Sequence, residues 1–271
     1  MRMSTLLKDV FRREPIASNP KINAHPIELL RQNTANKINK MGTEKAIRIQ
    51  TSILNGVEKK ALVWLAERQP GWVTSDLLTY VGVAGALICG LGFALSSLDI
   101  AWLWLSSVGL VINWYGDSLD GTLARVRGTQ RPKYGFFIDH SIDAITITMM
   151  CVGAGLSPLL RLDVALCVLV AYLIISVYTY VCTIVTNKMR LTYGKLGPTE
   201  FRLIVICLNT LFIYTPWQHL RYTIVGQHFG LFDIVAAVVV VLIAILWLIQ
   251  WLRDRRELSQ LDPLRKFCPK D

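Results

Sequence analysis

Charged side chains are scarce in this sequence, and negatively charged ones are scarcer than positively charged ones. Only 18% of the 271 residues are Asp, Glu, Lys or Arg, whereas 53% are hydrophobic. Apolar segments of about 18 or more residues recur along the chain, which the core of a soluble protein rarely requires. The composition therefore argues against an ordinary soluble domain and predicts a polytopic membrane protein.

The shortage of acidic residues leaves a formal net charge of +10. Such a charge is typical of proteins that bind nucleic acid and of proteins at anionic membrane surfaces. Because the chain is so apolar, membrane topology and anionic lipids explain the charge better, and we expect no nucleic-acid partner. The N-terminal region also lacks a continuous apolar core, so we expect it to stay in the cytoplasm without a signal peptide.

Paired cysteines are absent as well. None of the six cysteines forms a C-x-x-C pair, and five of them lie within apolar segments. They are Cys89, Cys151, Cys167, Cys182, Cys207 and Cys268. This pattern does not support a zinc site or a disulfide framework, and it favours small packing residues in membrane helices.

Hydropathy divides the chain into four parts. Residues 1–42 form a polar arm interrupted by proline, and residues 43–70 have the periodicity of an amphipathic helix. Residues 71–252 are predicted to form a transmembrane catalytic domain of six helices, and residues 253–271 a basic cytoplasmic tail. The predicted fold class is therefore all-α: a bundle of six transmembrane helices preceded by an in-plane helix.

The amphipathic segment contains too many charges to span a membrane. Its apolar residues recur at helical spacing, and they are Ile49, Ile53, Val57, Ala61 and Trp64. We interpret it as a helix lying in the plane of the cytoplasmic headgroups. A helix that packs on a soluble partner is the alternative, because an apolar stripe does not identify what it binds.

The spanning helices are predicted from six apolar segments. They cover approximately residues 73–95, 100–125, 134–154, 163–186, 199–214 and 231–252. The fifth is short, and residues 215–230 after it could instead be re-entrant. The first contains small residues at helical spacing, which would let a neighbouring helix approach closely. These are Gly82, Gly85, Ala86 and Gly90.

Loop charges predict the orientation of the bundle. The loops at 126–133 and 187–198 and the start of the tail contain three Lys or Arg residues each, whereas the opposite loops contain only Arg161 and Arg221. The positive-inside rule then places both termini in the cytoplasm. We expect a multi-pass protein of a plasma membrane or bacterial inner membrane.

Four carboxylates interrupt the second and third apolar segments near their cytoplasmic ends. Asp117 and Asp120 are spaced i, i+3, and Asp139 and Asp143 are spaced i, i+4, so each pair lies on one helix face. The connecting loop is short, so we expect the two helices to be antiparallel neighbours with facing carboxylates. Clustered carboxylates repel unless they are neutralised, and hard divalent cations are their natural partners. We expect Mg²⁺ or Mn²⁺, with two ions.

Other interpretations of the four carboxylates are a set of helix-end ion pairs, an ion or proton pathway in a transporter, and a membrane scaffold without activity. Single helix-end pairs with Arg125 or Lys133 do not explain four buried charges. Transporter sites tend to lie near the bilayer midplane on broken helices, whereas this cluster lies near one end.

A longer motif includes these carboxylates. The pattern Asp117-x-x-Asp120-Gly121-x-x-Ala124-Arg125, followed by Gly135-x-x-x-Asp139-x-x-x-Asp143, resembles the signature of the CDP-alcohol phosphotransferase family. The spacer between Arg125 and Gly135 is nine residues, one more than the usual eight. The resemblance implies a membrane enzyme that transfers a substituted phosphate from a CDP-alcohol to a second alcohol and releases CMP.

The resemblance also assigns roles to the residues of the motif. Asp117, Asp120 and Asp139 are implied as metal ligands. Asp143 is implied as the general base that takes the proton of the acceptor hydroxyl, and as a further metal contact. The residues implied to line the CDP site are Gly121, Ala124, Arg125 and Gly135. The expected donor is CDP-diacylglycerol with a small polar alcohol as acceptor; the alternative is CDP-choline or CDP-ethanolamine with diacylglycerol.

Further polar residues have plainer interpretations. We expect His140 to be a structural histidine with satisfied hydrogen bonds, and Asp76 to be a favourable charge at a helix N-terminus. Asn113 lies near the cytoplasmic half of its helix. Basic residues between the fourth and fifth helices set topology or bind substrate, and they are Lys188, Arg190, Lys195 and Arg202. Membrane lipids are expected partners, and small residues on several helices make a homodimer plausible.

Overall fold

The computed structural model of the protein describes residues 47–49, 54–186, 188–190, 197–224 and 226–262, and these residues are mostly helical. The helices are α1 (Asn55–Glu67), α2 (Ser75–Leu95), α3 (Leu103–Val126), α4 (Pro132–Gly155), α5 (Leu162–Thr186), α6 (Pro198–Tyr214) and α7 (Leu231–Leu261). Short 3₁₀ turns precede α3 at Ile100–Trp102 and follow α6 at Pro216–His219. The predicted arm, residues 1–42, lies outside the described residues.

Two short sheets modify the predicted all-α fold. Strand β1 (Ile47–Ile49) pairs in parallel with β2 (Lys188–Arg190), and β3 (Arg221–Ile224) pairs antiparallel with β4 (Gln227–Gly230). The β3–β4 pair lies between α6 and α7, in the segment for which the sequence analysis gave a re-entrant conformation as an alternative. Both sheets lie in connections between helices, so the helical character of the bundle is unchanged.

All six predicted spanning segments are helical, but they are not equally suited to a bilayer. Helices α2, α4, α5 and α7 are long and apolar enough to cross a membrane. Helix α6 has 17 residues, which extend about 26 Å and fall short of a hydrocarbon core of about 30 Å. Helix α3 has 24 residues, and serines, Asn113, Asp117 and Asp120 lower its hydropathy. Helix α7 continues to Leu261, beyond the predicted end at 252.

The predicted amphipathic helix over residues 43–70 is shorter in the structure. Helix α1 begins at Asn55, and the earlier described segment is strand β1. The side chains it buries are Leu62 and Ala66, which contact a small core between α1, α2 and α3. Val57 and Trp64, which belong to the predicted apolar stripe, are 72% and 54% exposed. The stripe therefore faces away from the protein.

Helix α2 packs against α3 at backbone distance. A Cβ added at Gly85 would lie 2.3 Å from the backbone nitrogen of Asn113, and one at Gly116 would lie 2.3 Å from that of Gly82. Contacts this short leave no room for a side chain, so glycine is required where the two helices cross. The prediction that small residues on the first spanning helix allow a close neighbour is confirmed.

Helix α2 also packs on α4, the second of the two carboxylate helices. A Cβ added at Gly153 of α4 would lie 2.3 Å from the carbonyl oxygen of Gly90 of α2. Within the described residues, α3 and α4 make few contacts with each other, and α2 packs extensively on both. Direct packing between α3 and α4 is therefore slight, and each of them packs on α2 instead. The loop joins their ends, while the small residues of α2 draw both helices to α2.

The end of the bundle away from the carboxylates is closed by packing. Phe212 of α6 and Phe232 of α7 stack with ring centroids 5.2 Å apart, and Phe93 of α2 meets Phe232 edge-on at 6.3 Å. Asp233, which is buried, accepts hydrogen bonds from the backbone N–H groups of Gly230 and Arg161. Apolar packing and satisfied backbone groups make this end a structural region.

Candidate active site

The carboxylate pair of α3 is held by hydrogen bonds from two other helices. Arg202 of α6 donates from Nη2 to Oδ2 of Asp117 at 2.6 Å and from Nε to Oδ1 of Asn113 at 3.1 Å. Asn113 in turn donates to the carbonyl oxygen of Gly82 on α2 at 2.9 Å. The planar guanidinium fits this forked contact, so it fixes Asp117 and Asn113 relative to α6.

Asp120, one turn further along α3, is held by α2. The hydroxyl of Thr79 donates to its Oδ2 at 2.6 Å, and the backbone N–H of Gly121 donates to its Oδ1. Ser75, one turn before Thr79, donates to the backbone carbonyl of Asp120 at 2.9 Å. Both carboxylate oxygens of Asp120 therefore have donors supplied by the protein.

The carboxylate pair of α4 has a different neighbour, which is His140. Ligand atoms of Asp139, His140 and Asp143 all lie within 4.8 Å of one another. The Nδ1 atom of His140 is 3.4 Å from Oδ2 of Asp139. Asp139 is about one-third exposed, and Asp143 is half-buried. This cluster offers two oxygen ligands and one nitrogen ligand on a single helix face.

The two pairs are close enough to influence each other. Asp143 interacts electrostatically with Asp117, Asp139 and Asp120 and with the guanidinium of Arg202. Asp120 likewise interacts with Asp139 and Asp117. Four neighbouring carboxylates repel one another when ionised, and a divalent cation would neutralise that charge. The donor set therefore fits a divalent metal.

The residues implied to line a CDP site lie beside these carboxylates. A Cβ added at Gly121 would meet only Nη1 of Arg125 at 3.4 Å, and one at Gly135 would meet no atom within 4 Å among the described residues. Arg125 is exposed and donates from Nη2 to the hydroxyl of Thr122 at 2.7 Å. Ala124 is half-buried. The open space beside both glycines is compatible with a bound group.

The basic residues at the ends of these helices have structural partners. Arg127 donates to the backbone carbonyls of Gln69, Pro70 and Val73, and so ties the start of α2 to the end of α3. Arg131 forms an ion pair with Asp76, which lies in the first turn of α2 as predicted. Both arginines therefore stabilise the fold.

The structure describes part of the loop between α5 and α6. Lys188 and Arg190 lie in strand β2, and Lys195 lies outside the described residues. The side chain of Arg202, which lies in α6, contacts Asp117.

Sequence reasoning did not identify Thr79 or the surroundings of His140. A Ser and a Thr spaced i, i+4 at the start of an apolar helix were the available signal for Thr79. His140 was expected to have satisfied hydrogen bonds, but neither ring nitrogen has a hydrogen-bond partner among the described residues. The ring instead stacks on Tyr180 of α5, and no sequence pattern indicated that contact.

Comparison with known proteins gives a consistent result. The sequence model of the CDP-alcohol phosphatidyltransferase family matches residues 72–253. The chain is similar to an archaetidylinositol phosphate synthase of Pyrococcus horikoshii, with 29% identity over 52% of this chain and 70% of that protein. A phosphatidylinositol phosphate synthase of Cutibacterium acnes is 31% identical over 31% of this chain and 38% of its own length. A cholinephosphotransferase 1 of Danio rerio is 25% identical over 65% of this chain and 48% of its own length.

Proposed function

Because this chain belongs to the CDP-alcohol phosphatidyltransferase family, we propose that it transfers a phosphatidyl group from CDP-diacylglycerol to a small polar alcohol and releases CMP. The family resemblance drawn from the motif is confirmed, and the chain is a phospholipid-synthesising transferase. Enzymes of this family use a CDP-alcohol and an alcohol acceptor. Membership favours this activity over the transporter and the scaffold.

The observation that carries the proposal is the grouping of ligand atoms of Asp139, His140 and Asp143 within 4.8 Å of one another on α4, together with the contact of Arg202 with Asp117 on α3. A diphosphate substrate brings further negative charge to this place. Divalent cations and nearby guanidinium groups make such an arrangement favourable, and the family is generally dependent on divalent metal.

The metal ligands in this proposal are Asp117, Asp120, Asp139 and Asp143. Together they would bind two divalent ions, either Mg²⁺ or Mn²⁺. Bound divalent cations supply neutralisation of the diphosphate and of the negative charge on departing CMP. Arg202 and Thr79 orient the α3 pair, because each donates to one of its carboxylates.

Asp143 is the proposed general base. The acceptor oxygen forms a bond to the phosphorus that carries diacylglycerol, and the bond from that phosphorus to the oxygen of CMP breaks. The acceptor proton passes to a carboxylate oxygen of Asp143, and CMP leaves with the bonding electrons. A base in this role must lie within hydrogen-bond reach of the acceptor hydroxyl.

The CMP portion is assigned to Gly121, Ala124, Arg125 and Gly135. The two glycines leave space for a nucleotide to approach the helix backbones, and Arg125 provides a charge for a phosphate. The exposure of Arg125 suits a water-soluble group at this end.

The activities for which the relatives are named support CDP-diacylglycerol as the donor. Two of them are named as synthases of inositol phosphate lipids, which agrees with a lipid donor and a small polar acceptor. The cholinephosphotransferase supports a second candidate, in which a CDP-amino-alcohol is the donor and diacylglycerol the acceptor.

We also propose the membrane arrangement. Helices α3 and α6 complete six spans with the four apolar ones, and α1 lies in the headgroup plane with Trp64 towards lipid. Residues 71–252 then form the catalytic domain, with the arm, the tail and the active site in the cytoplasm. The exposure of Val57 and Trp64 supports the position of α1. A homodimer is part of this proposal.

The test is purified protein in lipid nanodiscs with CDP-diacylglycerol, Mg²⁺ or Mn²⁺, and a panel of polyols, amino-alcohols and sugar phosphates. We expect stoichiometric CMP and a new phospholipid by mass spectrometry with one acceptor class. Product from CDP-choline or CDP-ethanolamine plus diacylglycerol, with none from CDP-diacylglycerol, would replace the first candidate with the second. No CMP from any combination would refute both.

A further inference from the structure

His140 lies inside the carboxylate region and is buried. It is next to Asp139 and one turn before Asp143 on α4, and its side chain is 9% exposed. Its ring stacks on Tyr180, with centroids 4.4 Å apart and an interplanar angle of 23°, and lies 4.1 Å from the ring of Phe136. Two aromatic rings therefore restrict the imidazole, so that its nitrogens point in fixed directions.

Neither imidazole nitrogen has a hydrogen-bond partner among the residues that the structure describes. Burial of a polar atom without a hydrogen-bond partner is unfavourable, so native proteins rarely retain one without a purpose. Packing alone does not explain His140, because a phenylalanine would fill the space between Phe136 and Tyr180 without that cost. A group that binds to one of the two ring nitrogens explains why a histidine occupies this buried position.

The neighbouring carboxylates indicate which group that is. Ligand atoms of Asp139, His140 and Asp143 lie within 4.8 Å of one another. Ligands bound to one ion at about 2.1 Å can be at most about 4.2 Å apart, so small side-chain rotations would complete a common site. The spacing of His140 and Asp143, i and i+3, places a nitrogen and an oxygen on one face of α4.

We propose that a ring nitrogen of His140 is a direct metal ligand beside Asp139 and Asp143, and that it makes this site prefer Mn²⁺ to Mg²⁺. The inference rests on the proposed function only for the location of the metal. Imidazole suits first-row transition ions, whereas Mg²⁺ strongly favours oxygen ligands. The nitrogen ligand therefore gives a selectivity that four carboxylates would not.

The test is electron spin echo envelope modulation on the purified full-length protein loaded with Mn²⁺ alone. This method detects the nitrogen-14 nucleus of an imidazole bound to Mn²⁺. We expect nitrogen modulation in the wild-type protein, its loss in His140→Ala, and its retention in His228→Ala. His228 is a matched control, because it is exposed on strand β4, where it contacts Thr223.

A competition titration gives a second measurement. The concentration of Mg²⁺ that displaces half of the bound Mn²⁺ should fall about tenfold in His140→Ala, since the nitrogen favours Mn²⁺. His140→Gln, which keeps a polar side chain of similar length, should behave like His140→Ala. An unchanged Mg²⁺ concentration in both variants would overturn the proposal.

The outcomes separate this inference from the proposed function. Bound Mn²⁺ without nitrogen modulation in the wild type, or modulation that persists in His140→Ala, would overturn the role of His140 and leave the carboxylate site intact. No bound Mn²⁺ at all would overturn both. If His140→Ala does not fold, the wild-type spectrum and His140→Gln still decide the question.

Discussion

The two carboxylate pairs have the same charge but different surroundings. On α3, Asp117 is bound by Arg202, and Asp120 accepts from Thr79 and a backbone N–H. On α4, Asp139 and Asp143 lie beside a histidine without hydrogen-bond partners in the described part of the chain. The first pair is positioned by the protein, whereas the second offers its ligands to whatever binds. We infer that α3 supplies rigidity to the site and α4 supplies reactivity.

The largest effect of a substitution is expected at Asp143, in the carboxylate pair of α4. Asp143→Asn should reduce CMP release about 10³-fold, or about 4 kcal/mol in activation free energy, because an amide cannot accept the acceptor proton. Steady-state assays with saturating Mn²⁺ measure this. Asp163→Asn, which changes an exposed carboxylate at the far end of α5, is the control and should retain activity. Wild-type turnover in Asp143→Asn would remove it as the base.

The packing that positions the α3 pair is tested by Gly85→Ala. The new Cβ would lie 2.3 Å from the backbone nitrogen of Asn113, so α2 and α3 must separate, which should cost about 3 kcal/mol of stability. Thermal unfolding in detergent measures the loss. Gly56→Ala in α1 adds a Cβ with no atom within 4 Å and should leave the midpoint nearly unchanged. Equal midpoints for both variants would contradict the close packing of α2 on α3.

The charge balance of the α3 pair is tested by Arg202→Met. Asp117 then loses its guanidinium partner in a half-buried position, so the metal-free protein should lose about 2 kcal/mol of stability. Divalent cation should restore more stability in this variant than in wild type, because it replaces the lost charge. Thermal unfolding with and without Mn²⁺ measures both effects. Arg161→Met, which breaks an exposed ion pair, is the control. An equal gain in stability from Mn²⁺ in the wild type and in both variants would refute this role of Arg202.

The smallest effect is expected at Thr79. Thr79→Val keeps the shape of the side chain but removes its hydrogen bond to Asp120, which should cost about 1 kcal/mol and raise the Mn²⁺ requirement a few-fold. Activity as a function of Mn²⁺ concentration measures this. Thr148→Val removes an exposed hydroxyl bonded only to the backbone of α4 and should have no such effect. An unchanged Mn²⁺ requirement in Thr79→Val would show that the hydrogen bond from Thr79 to Asp120 does not contribute to metal binding.

Much of the fold was predictable because hydrophobic runs are local signals. Each of the six apolar segments is a helix, and the glycines of the first one mark its contacts with α3 and α4. The ends of the helices, and the face that each helix turns to the bundle, were less predictable. The stripe containing Val57 and Trp64 was identified, but Leu62 and Ala66 are the residues that pack on the protein. Periodicity identifies a helix and does not decide which of its faces contacts the bundle.

The sequence by itself determined the residue types of the candidate site: four carboxylates at helical spacing, glycines next to them in the chain, and a motif typical of the family. The tertiary structure decided which group each carboxylate meets. Arg202 is 85 residues from Asp117 in the chain, and Thr79 is 41 residues from Asp120. His140 is enclosed by an aromatic ring of α5. Such contacts depend on which helices α2 draws together, because interactions across a bundle are set by packing and not by local spacing.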